Sequence, residues 1–137
     1  MNKLRGRILK VESNDHVSLV DVDVNGDVFT ATLLETAEDA PYLKAGNVVD
    51  LLFKETEVSL AKGLTGLISL RNRVSTTVKV VRSGVILSEV EMDYRGQRIS
   101  SIITTRSIAR LDIKPGDEVE ALVKANEMTL LEVNDAL

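Results

Sequence analysis

The feature that most constrains this chain is an internal repeat. Sliding the 137-residue sequence against itself by 70 positions aligns residues 1–61 with residues 71–131 without a gap. Fourteen of the 61 pairs are identical, among them Asn2/Asn72, Val20/Val90, Asp23/Asp93, Gly26/Gly96, Gly46/Gly116, Lys54/Lys124 and Glu57/Glu127. Many other pairs exchange one aliphatic side chain for another, as Leu4/Val74, Ile8/Val78 and Val58/Met128 do. Chance similarity between β-rich segments does not hold one register over that length. The chain therefore reads as two homologous modules, and any fold must be one that a short unit can adopt twice.

Each module has the pattern of a β structure. Residues Val17–Val24 alternate apolar and polar with period two, and Asn25-Gly26 follows at once, a two-residue hairpin signal. Val28–Leu34 is the returning strand, and the second module repeats the arrangement with Ser88–Tyr94, Arg95-Gly96 and Arg98–Thr104. A non-β patch comes next, residues 37–43 in one module and 106–111 in the other, and suits one or two helical turns. Turns follow at Lys44–Asn47 and Lys114–Asp117. Two short strands then close each module, near 48–54 with 57–60 and near 119–124 with 127–131. The expected fold class is all-β: two tandem five-stranded barrels of the OB type, each with a short helix after its third strand. The expected boundaries are a module over 1–62, a linker over 63–68 with glycines at 63 and 66, and a module over 69–134. A core this small is marginal alone, and the apolar face of Val17–Val24 exceeds what one barrel interior needs. Association into a homo-oligomer is expected.

Composition removes several functions. Aromatic residues make up 3% of the chain, with no Trp, which excludes a base-stacking surface for nucleic acid, and the net charge of −4 opposes general polyanion binding. There is no Cys, hence no disulfide, zinc ribbon or thiolate nucleophile, and the single histidine, His16, sits in a polar turn. Asp21, Asp23, Glu91 and Asp93 alternate along strands with no nucleophile–base pair nearby, so no enzyme is read. No apolar run reaches the length of a membrane span, and the start lacks the apolar stretch of a signal peptide. The expectation is a cytoplasmic protein with no membrane insertion.

The modules differ in charge. Residues 1–68 carry 7 basic and 11 acidic side chains, residues 69–137 carry 10 of each. The second module is the better place to hold a small anion. At its entry Ser69 and Arg71 would point the same way along a strand. Further on, Thr104, Thr105 and Ser107 lie where a strand turns into a short helix, offering hydroxyls and free N–H groups, and Lys124 adds a mobile ammonium. Taken singly, each has a structural explanation: Thr105 or Ser107 as a helix cap, Arg71 as half of a surface ion pair, Lys124 as an edge lysine that discourages aggregation.

Together they form a pattern. The run Ser69-Leu-Arg-Asn-Arg-Val74, then Ile103-Thr-Thr-Arg-Ser107, then Leu111–Val119 with its Lys114-Pro115-Gly116-Asp117 turn, then Leu122-Val-Lys-Ala125 resembles the molybdenum-binding Mop domain, a branch of the transport-associated OB (TOBE) family. The resemblance covers about residues 69–132, with residues 2–61 as a more diverged copy, and two such modules resemble the di-domain molbindins. It implies a bound molybdate or tungstate ion held between modules, usually of different subunits. Carried over by position, the implied oxyanion-binding residues are Ser69, Arg71, Thr104, Ser107, Lys124 and Ala125, with a lesser role for Lys54 and Asn72. Asn126 stands where Ser or Thr is usual. Module one departs further: Met1 pairs with Arg71, Leu34 with Thr104, Ala37 with Ser107, and Lys54 is followed by Glu55. Module one is thus expected to be mostly structural, and Lys124 to matter more than Lys54.

The function this implies is storage or buffering of molybdate or tungstate at sites shared between modules or subunits, in a homo-oligomer for which the resemblance implies a trimer. A transporter or a component of the molybdenum-cofactor pathway would be the protein partner. The alternative is an oxyanion-sensing regulatory module acting on a transporter or regulator, since the same module follows transporter ATPase domains and accompanies DNA-binding domains. An OB-type nucleic-acid binder is the third reading, opposed by charge and by the missing rings.

Overall fold

Alternation in sequence becomes strands with one buried face. In β2 (Val17–Val24), Ser18, Val20, Val22 and Val24 are buried while the residues between them face outward. The computed structural model describes residues 1–133, so residue 134, the expected end of the second module, lies outside the described residues. Strands β1 (Asn2–Asn14), β2 and β3 (Asp27–Leu33) form one antiparallel meander, and β6 (Asn72–Arg82), β7 (Leu87–Tyr94) and β8 (Gln97–Thr104) form its repeat. The β2–β3 turn places Asn25 at φ 51° and Gly26 at φ 93°, and the β7–β8 turn places Arg95 at 48° and Gly96 at 85°. Two successive positive φ values are what a two-residue hairpin turn matching the strand twist requires.

The repeat extends to individual hydrogen bonds. β1 is irregular between Ile8 and Lys10, and β6 at the equivalent place between Val78 and Val80. There the Ile8 carbonyl accepts from Gly46 N–H and the Ile8 N–H donates to Asn47, while Val78 does the same with Gly116 and Asp117, all at 2.8 Å. Both bulges are thus stapled to the turn before the fourth strand.

The closing strands depart from the expectation. After β4 (Val48–Phe53) and a 3-10 turn over Glu55–Glu57, strand β5 (Ser59–Ala61) does not pair with β4. It pairs with β9 (Glu118–Val123), Leu60 opposite Ala121. After β9 and a 3-10 turn over Ala125–Glu127, β10 (Thr129–Glu132) pairs with β4, Leu130 opposite Leu51. The sheets run β10-β4-β1-β2-β3 and β5-β9-β6-β7-β8. The cause is local: Lys54 and Val58, flanking the first 3-10 turn, are both extended, and no residue between β4 and β5 has a positive φ. The turn therefore carries the chain onward rather than folding it back.

Two compact units result. Unit 1 comprises residues 1–2 with Lys54–Val123, and unit 2 comprises Lys3–Phe53 with residues 124–133. This partition in space cuts across the linear repeat. Within unit 1, β5 meets β8, and within unit 2, β10 meets β3, so each sheet curls into an OB-like barrel. Val58 enters the core of unit 1, where its carbonyl accepts from Ser101 Oγ at 2.6 Å, and its counterpart Met128 enters the core of unit 2.

A further expectation changes, that of a helix in each module. Only the second module has the helix, α1 (Thr105–Leu111). Residues 37–43 form turns, with bonds from Ala40 N–H to Thr36 and from Leu43 N–H to Ala40. Pro41 lacks the N–H a helix would use there, and Leu34 cannot cap as Thr104 does. The linker is also tied down. Lys62 Nζ donates to the Leu111 and Asp112 carbonyls at 3.1 and 2.7 Å, at the end of α1, and Arg73 donates to the Leu64 carbonyl at 3.0 Å.

One ion pair recurs in both barrels. In unit 2 the buried Asp50 on β4 accepts from Arg5 Nε at 3.1 Å with Lys3 at 3.5 Å, and in unit 1 Glu120 on β9 accepts from Arg73. Burial pushes the Asp50 carboxyl up, but the Arg5 hydrogen bond and the charges of Arg5 and Lys3 outweigh it and leave it below its ordinary value. A carboxyl lowered by folding stabilises above its unfolded pKa of about 4, and that stabilisation is lost as pH falls through the folded value. Asp50→Asn is expected to cost about 1–2 kcal/mol at pH 7. In thermal melts from pH 7 to pH 2 the gap to the wild type should close below pH 4; a gap constant with pH would contradict the charged role.

Candidate oxyanion site

The residues at the β8–α1 junction divide into structural and outward-facing groups. Thr105 faces inward: its Oγ1 donates to the Gly84 carbonyl at 2.9 Å, lies 2.7 Å from the buried Ser88 Oγ, and its N–H donates to Ile86 at 2.8 Å. Those bonds fix the tip of the β6–β7 hairpin against the start of the helix. Thr104 is the N-cap, extended at φ −66° and ψ 145°, and its Oγ1 accepts from Ser107 N–H at 3.1 Å. The Thr104 and Ser107 hydroxyls lie 2.8 Å apart. One of the two protons is spent between them, so one O–H remains to donate outward.

Arginines surround this pair. Arg106 and Arg110, one helical turn apart, line a hollow of about 370 Å³ with Thr104 and Ser107. An adjoining hollow of about 430 Å³ is lined by Val85, Ile86, Thr104 and Arg106. Among the described residues no carboxylate lines either one. The acids at the far end of α1 are already engaged: Asp112 pairs with Lys114 at 3.0 Å, and Asp117 accepts from Lys62 Nζ at 3.0 Å. The Lys62 hydrogen bond, followed by the Lys114 backbone N–H, holds the Asp117 carboxyl below its ordinary value. Among the described residues the junction therefore offers one free hydroxyl proton and positive charge without a carboxylate in either lining. Among the described residues no group of three or more His, Asp or Glu is placed to hold a bare cation.

The other expected residues are placed as follows. Ser69 is exposed in a bend before β6 and Arg71 is exposed just ahead of that strand, both in unit 1. Asn72 is buried, as is its counterpart Asn2, which donates to the Ser100 carbonyl at 2.9 Å and accepts from Ser100 N–H at 2.8 Å. Lys124 is exposed and Ala125 half-buried, and both belong to unit 2. Lys54 is exposed and belongs to unit 1. Thr104 and Ser107 are thus in direct contact and share a unit with Ser69 and Arg71. The strand exchange assigns the two lysines to opposite units from those their repeat positions suggest. Arg106 and Arg110 stood in the sequence only as part of the second module's basic residues; their four-residue spacing on a short helix was the available signal.

With this geometry in view, comparison with known proteins is decisive. The TOBE domain matches residues 68–130. Molybdenum-pterin-binding protein 3 of Clostridium pasteurianum is 34% identical over 65 residues, 47% of this chain and 96% of that protein. The chain belongs to the Mop/TOBE domain family. The molybdenum import ATP-binding protein ModC of Brucella abortus (strain 2308) is 33% identical over 113 residues, 82% of this chain, and the chain spans about 30% of its length. The cytoplasmic molybdate-binding protein ModG, in a crystal form with molybdate bound, superposes with a TM-score of 0.88 at 29% identity, covering 97% of this chain and 96% of ModG. The Mop/TOBE fold of the present chain is thus a tandem pair of OB-like barrels, as in ModG.

The cap bond separates two roles within one TOBE junction. Thr104→Ala removes an acceptor that α1 uses and is expected to cost about 1 kcal/mol in chemical denaturation. Ser107→Ala keeps the backbone N–H of the cap and should cost less than half as much. Equal losses would show that the hydroxyl pair, rather than the cap, holds the helix start.

Proposed function

We propose that this chain binds molybdate or tungstate as an intact tetrahedral dianion and stores or buffers it in the cytoplasm. The observation that carries the reading is the outward-facing Thr104–Ser107 hydroxyl pair beside two arginines, with no carboxylate lining the hollow among the described residues. The likeness to ModG, a molybdate-binding protein, supports the choice of ion. Ser69 and the hydroxyl pair donate hydrogen bonds, Ala125 gives close backbone approach, and Arg71 and Lys124 supply charge, with Lys54 and Asn72 in lesser roles. Donors without acceptors select against hydrogen phosphate, which must itself donate, and a fixed pocket separates molybdate from the smaller sulfate. Sites are shared between modules or subunits of a homo-oligomer, a trimer by preference. The role is binding, not catalysis.

A second reading is favoured by one observation, the match to ModC over 82% of this chain. On that reading the chain senses the anion and acts on a molybdate transporter or a component of the molybdenum-cofactor pathway. Co-purification with and without molybdate separates the two, since only a sensor changes its partner on binding.

Titration calorimetry tests the common core. Molybdate and tungstate should bind more tightly than sulfate or phosphate, and equal affinities for sulfate and molybdate would end the proposal. A charge-assisted hydrogen bond contributes about 1.5–3 kcal/mol, so Lys124→Ala should weaken molybdate binding about tenfold to a hundredfold. Lys54→Ala should weaken it several times less. The reverse order would place the ligand set with the lysine of unit 1.

A further inference from the structure

Helix α1 has to be held from outside. Its seven residues are too few to be stable alone, and Arg106 and Arg110 repel one another across one turn. It ends at Asp112, at φ 50° and ψ 53°. A residue other than glycine stays in that left-handed region only where its surroundings fix it. Lys62 supplies the fixing. Ala61 stands opposite Glu120 in the β5–β9 ladder, which sets Lys62 beside the Lys114–Asp117 turn. From there its ammonium donates to the Leu111 carbonyl at 3.1 Å, the Asp112 carbonyl at 2.7 Å and the Asp117 carboxylate at 3.0 Å. All three protons are used, and the cation meets the negative end of the helix. The same lysine opens the linker that leads to Ser69 and Arg71. Gly63 and Gly66 turn that linker at φ 68° and 88°. Between them the Leu64 carbonyl accepts from Arg73 at 3.0 Å, and Arg73 is itself held by Glu120 on β9. Every one of these groups lies within unit 1.

The repeat supplies a comparison within the same chain. Glu132 stands where Lys62 does, and Tyr42 where Asp112 does. Burial, then the charges of Glu35 and Glu132, pushes the Tyr42 phenol above its ordinary value, so Glu132 lies near Tyr42 as Lys62 lies near Asp112. A carboxylate cannot donate to carbonyls, and there residues 37–43 form turns instead of a helix. The donating lysine occurs in the unit that has the helix and the hydroxyl pair. We infer that Lys62 is a positioning residue of the oxyanion site: without touching the anion, it sets the spacing between the Thr104–Ser107 hydroxyls on α1 and the linker end that carries Ser69 and Arg71. The inference rests on the proposed binding of molybdate by those residues and adds what fixes the size of the site. Both donor groups enter the proposed sites, so their spacing matters whether one chain or two complete each site. Molybdate and sulfate are both tetrahedral dianions and differ in size, so spacing governs the choice between them while charge does not. Without Lys62 the helix and the linker move independently, and a site able to contract accepts the smaller ion.

Titration calorimetry of the full chain with molybdate and with sulfate, well below the melting temperature, tests the inference on Lys62→Met and Lys62→Arg. Lys62 is exposed, so both substitutions leave the cores intact, and unchanged circular dichroism checks this. Lys62→Met keeps the apolar stem and removes the donors. It should weaken molybdate binding about tenfold and lower the preference over sulfate about threefold, the scale of losing a group that orients ligand-binding side chains. Loss of one positive charge alone would weaken both dianions alike and leave the preference unchanged. Lys62→Arg still donates to the carbonyls and to Asp117, and should recover most of the affinity and the preference. Without any anion, amide exchange at Ile108–Leu111 should quicken in Lys62→Met. A Lys62→Met chain with the wild-type preference, or a Lys62→Arg chain no better than Lys62→Met, would overturn the positioning role while molybdate binding by the wild type leaves the functional reading standing. A wild type that binds no molybdate would overturn that reading and the inference with it.

Discussion

The rest of the structure depends on four backbone ladders that cross the repeat boundary or flank it: β5 on β9 with β9 on β6, and β10 on β4 with β4 on β1. A barrel closes only when its fifth strand is supplied, and here each unit receives it from the segment that follows the other unit's fourth strand. An unpaired fourth strand would expose a row of N–H and C=O groups, an open edge that invites other chains. Exchange removes both edges at once. It also moves whatever follows the fourth strand, which is why Lys54 and Lys124 change units together with the 3-10 turns behind them.

Local structure was legible in the sequence because it is set by neighbours along the chain. Asn25-Gly26 and Arg95-Gly96 tolerate left-handed backbone, and the alternation of Val17–Val24 leaves one way to bury a face. The exchange was not legible. Ser59-Leu60-Ala61 and Thr129-Leu130-Leu131 present nearly the same pattern to β4 and β9, so periodicity cannot say which strand each will join. What decides is the backbone path through the 3-10 turn, and that depends on φ and ψ at Lys54 and Val58 rather than on side-chain pattern. The missing helix in module one was readable in retrospect from Pro41 and Leu34.

The site was legible to the extent that it is local. Thr104 and Ser107, three residues apart at a helix start, meet as their spacing requires. Thr105, equally a hydroxyl, is drawn inward by Gly84 and Ser88, a distinction that only the packing of the β6–β7 hairpin makes. Buried Asn72 is likewise a matter of depth, which a sequence motif does not encode. The two copies differ at this junction: module two carries Thr104, Ser107 and arginines where module one carries Leu34, Ala37 and acids.

The exchange also bears on how the chain reaches its folded state. β4 is made early and β10 late, so the barrel holding most of the first module stays open until the end of the second has been synthesised. Pairing between strands so distant along the chain raises the contact order and slows folding. The other barrel, contiguous over Lys54–Val123 apart from residues 1–2, closes through β5 and β9 without waiting for β10, so the two halves of the chain complete in the reverse of the order in which they begin.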